Sequence, residues 1–240
     1  MAGPDAQARP AHAWLRCLGF SAALAPAPAS AGAWIAAEGG QEIWTSVAGE
    51  RAGLSFFESS GYLEAPIEED TSIVIAPWVE QNYDSEDGWR GEATLGLKRK
   101  VYDTETGVVA VQASALWLSY PTPDCSEGGA ELRLLAGRNI GETGFVNAEI
   151  AGRALEGGCG GERLDLTIGY RPADNWLGMA QVFADSTRGG EEAVRGQVSF
   201  VRFGERGRGI QFGLRARLDG GPAEPALVIG VWSSLNPRRA

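Results

Sequence analysis

The chain has 240 residues, 34 of them glycine, with 21 Lys and Arg set against 31 Asp and Glu for a formal net charge of −10. That balance argues against nucleic acid as a partner, because phosphate binding needs a basic patch. No apolar run is long enough for a transmembrane helix, so the size leaves one large all-β domain or two small ones.

The first 31 residues stand apart. Arg9 and Arg16 precede the apolar stretch LGFSAALAPAPA, which ends in Ala29-Ser30-Ala31 before Gly32. A positive start, a short apolar centre and a small-x-small end describe a cleavable secretory signal peptide. A disordered Ala/Pro tail and a start codon placed too early are the competing readings. Cys17 directly follows Arg16, which does not fit lipoprotein acylation. Cleavage after Ala31 leaves 32–240 as a single domain. It removes Arg9, Arg16 and Asp5, which takes the formal charge from −10 to −11.

Cleavage also removes His12, the only histidine. A Ser–His or Asp–His arrangement is then impossible, and zinc would have two loop cysteines and no imidazole. No catalytic constellation, metal site or cofactor is expected. The acidic stretch DSEDG (Asp84, Glu86, Asp87) lacks the spacing of a calcium loop and reads as a surface turn.

From 41 to 233 one unit repeats: a run of strand-like residues, then Gly, Asp, Glu or Pro. Strands are expected at 41–48, 54–64, 71–83, 88–101, 106–119, 129–141, 144–155, 161–171, 174–185, 192–204, 207–218 and 224–233. Ten to twelve strands are compatible with the pattern. Every second connection, beginning at 65–70, is short. The intervening ones, such as SYPTPDCSEGG and EGGCGG, are on balance longer and richer in glycine. Short turns alternating with longer loops mark an up-and-down barrel whose two ends differ. Cys125 and Cys159 both fall on the long-loop side, where a disulfide between them is geometrically allowed in an exported chain.

Within the strands one parity is apolar and the other polar. In RLDLTIGYR, Arg163, Asp165 and Arg171 oppose Leu164, Leu166, Ile168 and Tyr170; in GIQFGLRARL, Gln211, Arg215 and Arg217 oppose Ile210, Phe212 and Leu214. Alternation alone leaves open whether the apolar face meets a core or lipid. Three features favour lipid. Most runs reach the ~9–11 residues that cross a bilayer at a tilt. The apolar faces, rich in Ala and Gly, would pack poorly as a barrel's sole interior. Aromatics also gather at strand ends, as in an interfacial girdle: Tyr62, Tyr83, Trp89, Tyr102, Trp117, Tyr120, Tyr170, Trp176 and Trp232, with Phe145 and Phe203 nearby.

On these features residues 41–233 resemble the bacterial outer-membrane β-barrel class. The resemblance implies an all-β, up-and-down antiparallel transmembrane barrel of about twelve strands in the outer membrane of a Gram-negative bacterium, surrounded by lipid and lipopolysaccharide. The chain departs from that class at its end, where SSLNPRRA follows Trp232.

With the polar parity inward, an acidic wall is expected from Glu58, Glu64, Glu80, Glu92 and Glu131. A basic wall is expected from Arg153, Arg163, Arg171, Arg195, Arg215 and Arg217. Lys98-Arg99-Lys100 reads as an interfacial run outside the lumen. Two functions follow. Facing walls create a transverse field in a narrow pore or export conduit for small hydrophilic solutes, anionic ones such as acidic oligosaccharides included. Alternatively the charges pair, plug the lumen and leave a non-catalytic surface structural or binding barrel. A soluble periplasmic β-protein is the third reading.

Overall fold

The period-two pattern resolves into the two faces of one closed sheet. The computed structural model describes residues 32–81, 88–119, 126–158, 160–187, 192–204, 208–221 and 223–235. Its strands are β1 (Gln41–Arg51), β2 (Leu54–Glu68), β3 (Thr71–Gln81), β4 (Trp89–Asp103), β5 (Gly107–Leu118), β6 (Gly128–Ile140), β7 (Gly144–Leu155), β8 (Gly160–Ala173), β9 (Trp176–Thr187), β10 (Ala193–Phe203), β11 (Gly209–Arg217) and β12 (Ala226–Ser233). Each pairs antiparallel with its sequence neighbours. The ring closes between β1 and β12, from Glu42 opposite Ser233 to Gly49 opposite Ala226. Closure leaves no unpaired edge, which is the condition for strands to cross a bilayer.

The outer face is the apolar one. Leu164, Leu166, Phe212 and Leu214 point away from the barrel, and exposure there reaches 65% at Leu132. Water would not tolerate an apolar surface that continues around every strand, whereas acyl chains require one. Bulges interrupt the ladder at Pro66–Glu68, Lys100–Tyr102 and Tyr170–Ala173. The second lets the consecutive residues Val101 and Tyr102 both face outward.

The connections β2–β3, β4–β5, β6–β7, β8–β9 and β10–β11 share one end with the start of β1 and the finish of β12. This is the short-turn end, which corresponds to the periplasmic side of such barrels. The opposite, long-loop end also has one tight turn, at Ala52-Gly53. Both residues have positive φ (51° and 82°), the backbone that a two-residue hairpin needs.

Candidate functional site: the barrel interior

The interior is filled in three tiers. At the short-turn end lies an apolar floor of Ile43, Phe145, Leu177, Met179, Val201 and Trp232, with Trp34, Tyr62 and Phe203 packed against it. Lumenal positions here are apolar, so both faces of β9 and β12 are apolar at this level. Trp232 satisfies its ring nitrogen inside the barrel, donating to Gln211 Oε1 at 2.8 Å; Gln211 donates in turn to Ser199 Oγ at 3.0 Å.

The second tier is a piece of chain from outside the strands. Residues 32–36 enter the lumen from the start of β1, with Ala33 and Ala36 buried and Trp34 edge-on to Phe145 at 6.0 Å. Lys98 Nζ holds this segment, donating to the carbonyls of Gly32 (3.0 Å) and Trp34 (2.7 Å) and to the Glu64 carboxylate (2.7 Å). Glu64 also accepts from Ala36 N, Ser72 Oγ, Gln41 Nε2 and Tyr62 OH. Asn147 Oδ1 accepts from Ala33 N at 3.0 Å. Two backbone features admit the segment. Gly32 has φ +113°, and a Cβ on Gly137 would lie 2.5 Å from the Trp34 ring.

The third tier, towards the long loops, is charged. Arg153 clasps Glu92 with both terminal nitrogens (2.8 and 2.6 Å) and reaches Glu131 at 2.7 Å. Arg133 joins Glu131 (3.0 Å), Glu149 (2.6 Å) and Asp165 (3.4 Å). Arg51 bridges Glu58, Glu80 and Glu224, while Arg90 adds a second contact to Glu80. Arg215 contacts Glu58 at 2.8 Å, Arg163 contacts Asp185 at 2.7 Å, and Arg195 and Arg217 share Glu224. A bidentate arginine–carboxylate pair is among the stronger charge-assisted contacts. The space left between Trp78, Glu92, Arg133, Arg153 and Arg163 is a cavity of about 140 Å³. That is well short of the roughly 300–1,000 Å³ of a small-molecule site.

All eleven expected wall residues therefore face the interior, but two opposed walls do not form. Arg51 and Arg90 stand beside Glu58 and Glu80, and Asp185 stands beside Arg163 and Arg195. Pairing replaces the transverse field. Arg171 makes no ion pair with a described residue and lies 5.5 Å from the Phe203 ring centre at the short-turn mouth.

The aromatic expectations divide. Trp89, Tyr102, Trp117 and Tyr170 are exposed on the outside, and Trp176 packs there against Phe212. Tyr62 and Trp232, expected in the girdle, instead face inward, as do Phe145 and Phe203. Tyr62 shares the lumenal parity of Glu58 and Glu64, whereas Trp232 lies on a strand whose two faces are equally apolar. Trp44 joins the outer set. Lys98, expected at the interface, is fully buried in the lumen; its parity with Arg90, Glu92 and Thr94 was the available signal. Nothing in AWIAAEGG marks residues 33–36 as lumenal. Tyr83, Tyr120, Cys125, Cys159 and the DSEDG turn lie outside the described residues.

The solved structures with this architecture include the KdgM porin (TM-score 0.60, 7% identity, covering 81% of this chain and 98% of that one). An outer membrane channel from Pseudomonas putida F1 (0.59, 11%, 85% and 98%) and the NanC porin (0.56, 9%, 78% and 98%) share it. This is an outer-membrane β-barrel. No family model and no curated protein matches the chain. At these identities the likeness shows the fold alone; the contents of the lumen belong to this sequence.

Proposed function

We propose that this outer-membrane barrel is a narrow conduit for small hydrophilic solutes, anionic ones such as acidic oligosaccharides included, held shut at rest by residues 32–36. The observation that carries this reading is the nature of the obstruction. It is a strand-free segment tethered at β1 and held by Lys98, Glu64 and Asn147, with no ladder joining it to the wall. A few hydrogen bonds are exchangeable in a way that a sheet ladder is not.

Beyond that segment, Arg153, Arg163, Arg195, Arg215 and Arg217 line the path with carboxylates as partners. An acidic solute would take the place of those carboxylates, one arginine fork at a time. One structure of the KdgM barrel is a complex with disordered oligogalacturonate, which supports this reading by shared architecture alone. On the same reading residues 1–31 are the export signal, lipopolysaccharide surrounds the long-loop end, and the barrel has no catalytic role. The apolar floor and the paired charges favour a second reading, a permanently closed barrel whose long loops bind at the cell surface.

Conductance in planar bilayers separates the two. The full mature chain is expected to be closed for long intervals. Lys98→Met, or excision of 33–36, should give steady stepwise currents, and Arg153→Ala with Arg163→Ala should reduce anion preference. Silence from both opened variants, folded by gel migration, would establish the closed barrel instead.

A further inference from the structure

A second hollow lies at the rim of the short-turn end, where outward Arg202, Ile210 and Val231 meet the edge of the floor at Phe203 and Trp232. It is a groove of about 700 Å³ lined by residues of β1, β10, β11 and β12 and the flanking turns. Strand register places Trp176, Arg202, Ile210, Val231 and Trp44 in one outward row across five neighbouring strands. Arg208, Ser233 and Glu42 lie next to that row on the side of the turns. Phe212 and Ile229, both exposed to the membrane, lie on the other side.

Two arginines in this groove lack what most other described arginines have. Neither Arg202 nor Arg208 forms an ion pair with a described residue, although every described arginine of the charged tier does. Arg202 is nonetheless held in place, with its guanidinium 5.0 Å from the Trp176 ring centre. Glu42, across the groove, is fixed by Trp44 Nε1 and by Ser233 Oγ at 3.2 Å. The groove thus presents two cations without an ion-pair partner among the described residues, one anchored carboxylate and a contiguous apolar wall, all at the level of the aromatic girdle.

We infer that this groove seats one phosphatidylethanolamine molecule of the leaflet at the short-turn end. The phosphate lies against Arg202 and Arg208, the ammonium against Glu42, and the acyl chains run over Ile210, Val231 and Phe212. Arginine is suited to phosphate because its planar fork donates two parallel hydrogen bonds. The two arginines alone would accept any phosphate. Glu42 adds the discrimination, since it pairs with an ammonium and repels the additional negative charge of lipopolysaccharide or an anionic phospholipid. The apolar wall distinguishes a lipid from free phosphate, which has nothing to place there.

Native mass spectrometry of the full mature chain, refolded in detergent, tests this assignment with short-chain phosphatidylethanolamine, phosphatidylglycerol and inorganic phosphate. One phosphatidylethanolamine per barrel is expected, bound more tightly than phosphatidylglycerol. Arg202→Ala with Arg208→Ala should weaken both lipids by about tenfold or more. Glu42→Gln should abolish the preference between them while leaving phosphatidylglycerol bound at least as well. Arg138→Ala, an outward arginine elsewhere on the same end, should change nothing. Heat-dependent gel migration verifies folding, and the Arg202→Lys, Arg208→Lys pair should retain most of the binding if folding tolerates no alanine. Undiminished binding in the double alanine variant would overturn the site. A preference that survives Glu42→Gln would overturn the headgroup, and displacement by inorganic phosphate at lipid-like concentrations would overturn the lipid.

Discussion

Lys98 Nζ lies 2.7 Å from the Glu64 carboxylate inside the barrel, and neither side chain has any exposed surface. Two buried charges gain little net stability from each other, but removing one strands its partner at a cost of about 3–5 kcal/mol. Lys98→Met and Glu64→Gln are each expected to destabilise the barrel on that scale in urea. The double replacement Lys98→Met, Glu64→Leu should recover much of the loss. Because the ammonium also binds the carbonyls of Gly32 and Trp34, both single variants should expose Trp34 to aqueous fluorescence quenchers.

Gly137 gives a second handle on the same segment. A methyl at that position would lie 2.5 Å from the Trp34 ring, so the ring must shift. Gly137→Ala is expected to cost about 1–3 kcal/mol, the usual range for overpacking. Adding Trp34→Ala should remove most of that penalty. A double-mutant cycle from urea midpoints measures the coupling, and additive losses would show that the two residues do not touch.

At the long-loop end, Asp219 accepts from Arg217 Nε at 2.6 Å and from the backbone N–H groups of Val194 and Gly221 at 2.8 and 3.0 Å. The Arg217 contact first, then the two N–H groups, hold its carboxyl well below the usual carboxylate range. The depressed folded value means that its stabilisation is complete above the ordinary carboxylate pKa of about 3.9 and is lost as pH falls through the lower folded value. Amide exchange at Val194 and Gly221 should therefore accelerate on acidification below that point. Asp219→Asn should flatten this acid-side dependence.

Ser126 and Glu156 are joined twice, through Ser126 N to Glu156 O (3.3 Å) and Glu156 N to Ser126 Oγ (3.0 Å). This contact ties together the loops that carry Cys125 and Cys159. The mature, air-oxidised chain is expected to show no free thiol to maleimide. Cys159→Ser should release one and cost about 3–4 kcal/mol if loop closure dominates. Two reactive thiols in the native chain would refute the pairing.

How much was legible in advance depends on whether a side chain's surroundings can be inferred from its own strand. Alternation is local, so the parities of RLDLTIGYR and GIQFGLRAR already separated lipid-facing Leu164 and Phe212 from lumenal Arg163 and Arg215. Turn residues are local as well, and the twelve strands of the barrel fall close to where the punctuation put them. On ALVIGVWS the same rule is silent, because Leu227 and Val231 meet lipid while Trp232 meets the apolar floor and Val228 packs inside against Val47, Phe56 and Ala226.

The sequence by itself determined successive strands with one apolar and one charged face, since side-chain direction has period two along every extended strand, and strand length and aromatic placement favoured a barrel with the apolar face towards lipid. Only the tertiary structure decided what those charges do. Arg153 finds Glu92 three strands away, Arg215 finds Glu58 across the β12–β1 closure, and Lys98 finds the carbonyls of a segment more than sixty positions earlier. Such partners are set by barrel closure and register, which no pattern within a single strand encodes. Closure brings distant strands within reach of one another, and so makes a filled lumen out of walls that look segregated along the chain.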